Sequence, residues 1–131
     1  VKLAPARLAD RRNNMRERQR RDRMATQLMR DRYPQFASLR LDFEFSDSGP
    51  FTPAPQVTVL HPPARTYFFF PCPYADCDGE FDLTEPVAQL VRSGESRAEG
   101  HLTCCGQRAR EREKRSPCEL RLDYEIVAQP A

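Results

Sequence analysis

Five cysteines in a chain of 131 residues, all of them beyond residue 70, limit the fold more than any other feature. Cys72 and Cys77 lie in FPCPYADCDGEFDL, a C-x4-C pair with prolines on both sides of the first thiol and a glycine soon after the second. Four intervening residues suit two zinc ligands on one turn. GHLTCCGQRAREREKRSPCELRL then supplies Cys104, Cys105 and Cys118. The odd count and the absence of an apolar segment from VKLAPARLADRRNN, which does not read as a secretory signal, favour a reducing, cytoplasmic setting. There, thiols bind metal more readily than they pair. Four sulfurs would make a closed, tetrahedral, structural Zn2+ site. Two disulfides, or buried thiols without a ligand, are the alternatives.

The rest of the second part reads as strands. SLRLDFEFSD alternates, with Leu39, Leu41, Phe43 and Phe45 on one side and Arg40, Asp42, Glu44 and Ser46 on the other. CELRLDYEIVA repeats the pattern through Leu120, Leu122, Tyr124 and Ile126. LRLDFEF and LRLDYEI share five of seven residues, and pairing them with Asp42 opposite Asp123 would set Arg40 against Glu125 and Glu44 against Arg121. QVTVL, RTYFFF, EFDL and HLT are further strand candidates. Thr84 is read as the N-cap of a helix of about ten residues that buries Val87, Leu90 and Val91 and stops at Gly94. GQRAREREKRSP is read as a basic loop.

Charge divides the chain. Residues 1–32 carry eleven basic and four acidic side chains, whereas the remainder carries ten basic and fifteen acidic. Good helix formers without proline or glycine run from Leu8 to Tyr33, so one helix of about 20–25 residues is expected, capped by Asp10 or Asn13 and ended by Pro34. No apolar residue occurs between Arg16 and Arg23, so that stretch is expected to be solvated or to face a polyanion. The resulting expectation is an α+β protein: a basic helical arm over residues 1–34, then a small antiparallel β domain with one short helix over 35–131.

Two family resemblances bear on function. Asn14, Glu17, Arg18, Arg20, Arg21, Met24 and Leu28 fill N-x-x-E-R-x-R-R-x-x-M-x-x-x-L, which resembles the basic region of basic helix-loop-helix transcription factors. That resemblance implies Glu17 as a base reader and Arg18 and Arg21 as phosphate contacts. It stops at Pro34, where the family needs a loop and a second helix and this chain begins an alternating strand. Residues 66–127 resemble a zinc ribbon, in which two cysteine-bearing turns at hairpin ends share one metal. Cys72, Cys77 and Cys118 carry over from that family, while about a dozen inserted residues separate the ligands of the second turn. Cys104 is taken as the fourth ligand because alternation puts it on the side of Leu102, with Cys105 as the alternative. His61 and His101 are read as ordinary surface rather than ligands.

No nucleophile elbow, phosphate-binding Walker loop, C-x-x-C redox pair or H-E-x-x-H helix occurs, so no enzyme activity is expected. Zinc ribbons recur in transcription and translation proteins, and clustered arginines attract phosphates whatever the base sequence. The expected role is a zinc-binding protein that contacts nucleic acid, or a nucleic-acid machine such as the ribosome or RNA polymerase. The contacts would be Arg11, Arg12, Arg16, Arg18, Arg20, Arg21 and Arg23, joined by Arg108, Arg110 and Arg112. A protein–protein adaptor using the sheet, an acidic protein partner for the arm, and a thiol sensor at Cys105 are the competing readings.

Overall fold

The computed structural model describes residues 8–110 and 114–131. Alternating apolar residues build its main sheet from β1 (Phe36–Ser46), β2 (Gln56–Leu60), β5 (Arg97–Thr103) and β8 (Arg121–Pro130), antiparallel throughout in the order β2-β1-β8-β5. Between them come two small hairpins: β3 (Phe69–Pro71) with β4 (Glu80–Asp82), and β6 (Gln107–Arg110) with β7 (Lys114–Pro117). The helices are α1 (Leu8–Met24), α2 (Met29–Arg32) and α3 (Thr84–Ser93). The architecture is α+β.

Leu39, Leu41 and Phe43 of β1 and Leu122 and Ile126 of β8 point to one face and are buried. Phe68, Phe81, Leu83 and the α3 residues Val87 and Leu90 cover them in one continuous core. α3 forms because its apolar residues recur at helical spacing, and it ends where Gly94 takes a left-handed φ of 71° that costs a glycine little. Its N-cap position is Leu83 rather than Thr84, and the Asp82 carboxylate accepts the Thr84 backbone N–H at 2.9 Å. At Gly100 on β5, an added Cβ would run into the Tyr124 ring across the strand pair, so the aromatic lies over bare backbone.

Other sequence expectations change as well. β1 and β8 pair two residues away from the expected register: Asp42 faces Glu125, Glu44 faces Asp123 and Arg40 faces Val127. A shift of two keeps every side chain on its face, so the core is indifferent to it. The like charges are compensated elsewhere, by Arg40 on Asp42 (3.1 Å), Arg97 on Glu125 (2.7 Å) and Arg121 on Asp123 (3.0 Å).

The single long helix is also broken. After Met24 the backbone leaves the helix because residues 27–30 pair with the segment 62–66. Thr66 N–H donates to the Gln27 carbonyl at 2.9 Å, Met29 N–H to Ala64 at 2.8 Å, and Arg30 N–H to Pro62 at 3.0 Å. Tertiary hydrogen bonds override local helix propensity there. Finally, within GQRAREREKRSP, read as a loop, Gln107–Arg110 and Lys114–Pro117 pair as antiparallel strands, with Gln107 opposite Pro117 and Arg108 opposite Ser116.

Candidate metal centre

Each half of the molecule delivers two thiols to one point. Cys72 follows β3 and Cys77 ends the turn before β4, whereas Cys104 follows β5 and Cys118 sits between β7 and β8. All four are buried and unpaired, and their sulfur atoms lie within 4.8 Å of one another. Cys77 Sγ is 3.7 Å from Cys104 Sγ, and Cys72 Sγ is 3.9 Å from Cys118 Sγ. A tetrahedron with metal–sulfur bonds of about 2.3 Å has sulfur–sulfur edges of about 3.8 Å, whereas a disulfide needs about 2.05 Å. The spacing fits a metal ion.

The backbone repeats itself around the sulfurs. Gly79 N–H donates to Cys77 Sγ at 3.3 Å, and Gly106 N–H to Cys104 Sγ at 3.4 Å. Cys72 N–H donates to the Gly79 carbonyl at 3.0 Å, and Cys118 N–H to the Gly106 carbonyl at 2.8 Å. The two glycines also touch. A Cβ on Gly79 would overlap Cys104 Sγ and stand 2.9 Å from the Gly106 backbone, and one on Gly106 would overlap the Gly79 backbone. Only glycine lets the two turns close to this distance. The C-x-G spelling shared by CDG and CCG is the sequence trace of this contact.

Four thiols in one buried pocket cannot all become anionic without a compensating cation. Hydrogen bonds among them split their acidities: the Cys104 and Cys72 thiols support Cys118 as a thiolate and hold it far below the usual range, and Cys77 is lowered chiefly through Cys104. Cys72 is pushed up mainly by its bond to Cys104, and Cys104 mainly by its bond to Cys118. A bound metal cation would allow all four to deprotonate together.

No protein-family model, curated protein or solved structure matches the chain. Function therefore has to be read from the site and its surroundings.

Cys105, the reserve ligand, is exposed, and its thiol faces the Thr103 carbonyl at 3.6 Å. His61 and His101 are exposed as well, outside the sulfur cluster. The arginines expected to contact nucleic acid or a partner divide into two groups. Arg12 Nη1 donates to the carbonyls of Cys72 (3.0 Å) and Cys77 (2.8 Å), and Arg11 pairs with Asp78 at 3.1 Å. Arg18 reaches Glu80 at 2.6 Å, beside a bond of 2.7 Å from Gln19 to the other oxygen of the same carboxylate. Arg23 lies over the Tyr67 ring, 5.3 Å from its centre. Arg108 stacks on Tyr74 at 3.6 Å and pairs with Asp76 at 3.1 Å. Arg16 and Arg21 stay exposed, and Arg20 pairs with Glu17 at the surface. Arg110 belongs to β6, and Arg112 lies outside the described residues.

The expectation that nothing between Arg16 and Arg23 is buried is thereby corrected. Leu8, Arg12, Met15 and Gln19 form one stripe on α1 at intervals of four, three and four. Leu8, Met15 and Gln19 are buried, the last only 1% exposed. The stripe was hidden in the sequence because two of its four members are polar. Their burial is tolerable only beside the carbonyls and carboxylate that the folded turn provides. Glu17, the base reader implied by the helix-loop-helix resemblance, bonds Arg20 at 3.0 Å, and the chain beyond Pro34 enters β1 instead of a second helix.

Proposed function

We propose that this chain is a non-enzymatic binding module whose two turns are joined by a structural zinc ion and whose outer α1 surface contacts the phosphates of a nucleic acid. The carrying observation is the buried cluster of Cys72, Cys77, Cys104 and Cys118, with sulfur spacing at the tetrahedral edge. Those four residues would hold the metal, and the ion would supply cross-linking rather than Lewis-acid chemistry because four thiolates fill its coordination sphere. The fixed scaffold then displays Arg16, Arg20 and Arg21 on the exposed side of α1, whose seventeen residues include seven arginines and three acids. A ribosome offers the same phosphate chemistry through its RNA, and an RNA polymerase through the nucleic acid it holds. The cytoplasm, where thiols remain reduced, suits such a site.

The test is binding of single-stranded RNA and duplex DNA at two salt concentrations. Three phosphate contacts on duplex DNA give a log–log salt slope of about −2.7, so affinity should fall roughly 40-fold between 50 and 200 mM salt. Reversing Arg16, Arg20 and Arg21 to Glu should abolish it. Undetectable binding, or binding indifferent to salt, would refute the nucleic-acid part of the reading.

One observation favours a second reading, that of a protein–protein adaptor. β2 is an outer strand of the sheet with no charged residue, and Val57 and Val59 are 56% and 43% exposed. Such an edge can accept another strand. Charge reversal on α1 would leave an adaptor of that kind intact, whereas Val59→Lys would impair it.

A further inference from the structure

α1 is attached to the very turn that carries two of the four sulfurs, and this attachment has a thermodynamic consequence. Arg12 places one guanidinium nitrogen on the carbonyl oxygens of both Cys72 and Cys77, so a single side chain spans the C-x4-C loop from its first ligand to its second. Arg11 holds Asp78, the residue after the second ligand, whose carboxylate also accepts the Gln107 N–H at 2.7 Å. Two helical turns further on, Arg18 and Gln19 hold Glu80 just beyond Gly79. The helix therefore clamps both ends of the segment from Cys72 to Glu80.

We infer that Arg12 is a positioning residue for the metal, and that retention of the metal and docking of α1 are one linked equilibrium. The Arg12 nitrogen meets both carbonyls only while Cys72 and Cys77 stand on one turn, and a metal shared by their sulfurs would fix that turn. Docking is thus favoured more in the loaded state than in the metal-free state. Differential affinity of that kind is reciprocal: the metal orders the helix, and the helix retains the metal. The polar groups around a metal's ligands commonly change affinity 10- to 100-fold when they are removed. Metal loss would also free Arg11, Arg12 and Arg18 from their internal partners.

This inference rests on the four cysteines holding a metal and is independent of nucleic-acid binding. The experiment uses the whole chain loaded with zinc and follows transfer of the metal to a chromophoric chelator. It compares wild type with Arg12→Ala, with the double variant Arg18→Ala/Gln19→Ala, and with Asn13→Ala as an exposed control on the same helix. Expected is release about tenfold faster from Arg12→Ala, clearly faster release from the double variant, and wild-type release from the control. The double variant is decisive, because a purely local role for Arg12 would not make metal release depend on the other end of the helix. Hydrogen exchange of the α1 amides should rise in that variant while it remains loaded. If the double variant undocks α1 yet releases zinc at the wild-type rate, the linkage is refuted. If Arg12→Ala does not fold, the double variant and its exchange decide alone. A wild-type protein that takes up no zinc would instead overturn the reading of the metal centre, and the linkage with it.

Discussion

At the scale of single residues, the tightest constraint lies on Gly79 and Gly106 rather than on the cysteines, whose role any thiol spacing of this kind would suggest. Gly79 has a sulfur ligand on one side and the backbone of Gly106 on another, so a methyl group there has no flexible neighbour to displace. Overpacking of this type costs about 1–3 kcal/mol. Gly79→Ala should accordingly lower the thermal midpoint by several degrees and reduce the zinc bound per chain, read by calorimetry and elemental analysis of the same preparation. Gly49→Ala is the matched control, because nothing lies within 4 Å of the added Cβ. Equal stability of the two variants would mean that the turns do not approach as closely as described.

At the scale of elements, alternation decides the face of a strand but not its register. Leu39, Leu41 and Phe43 declared the inner face of β1 in the sequence, and the same alternation put Cys104 on the side of Leu102, where it lies in the buried cluster. Charge complementarity was a poor guide to register, because within-strand and next-strand arginines neutralise Asp42, Asp123 and Glu125 without any Arg40–Glu125 pair. Glu44 remains opposite Asp123. Glu44→Lys should therefore stabilise the sheet by about 0.2–1 kcal/mol, with a gain that shrinks between low and high salt in thermal melts. A loss of stability at low salt would contradict the observed register. α1 was legible as a helix for the opposite reason, its uniform propensity. Its docking face was not, since Arg12 and Gln19 become inward-facing only when Cys72, Cys77 and Glu80 have been brought together by residues far away in sequence.

At the scale of the whole molecule, the four cysteines belong to the same buried cluster as Leu41, Phe68, Phe81 and Leu122, so the centre is continuous with the core. The proposed zinc would give a chain of this size folding free energy that its limited apolar burial does not supply. Protons would compete with that metal for the sulfurs. Metal-bound thiolates have folded pKa values depressed far below the unfolded value of about 8.5, so their contribution is present above that value and is lost as pH falls through the folded one. Unfolding in acid then takes up four protons and releases one ion, which fixes the coupling between pH and zinc. Each tenfold increase in free zinc should move the acid midpoint down by about 0.25 pH unit, because four protons are exchanged for one metal. Circular dichroism of the sheet and a zinc-responsive dye should report the same midpoint. The carboxylates predict different behaviour. The Asp47 carboxyl is held below its ordinary value chiefly by the Tyr74 hydroxyl, so its contribution disappears only as pH falls through that lowered value, whatever the zinc concentration. An acid midpoint that ignores zinc would assign the acid transition to groups such as Asp47 and remove the metal from the account of stability, whereas a slope near one quarter identifies four thiolates acting as one site.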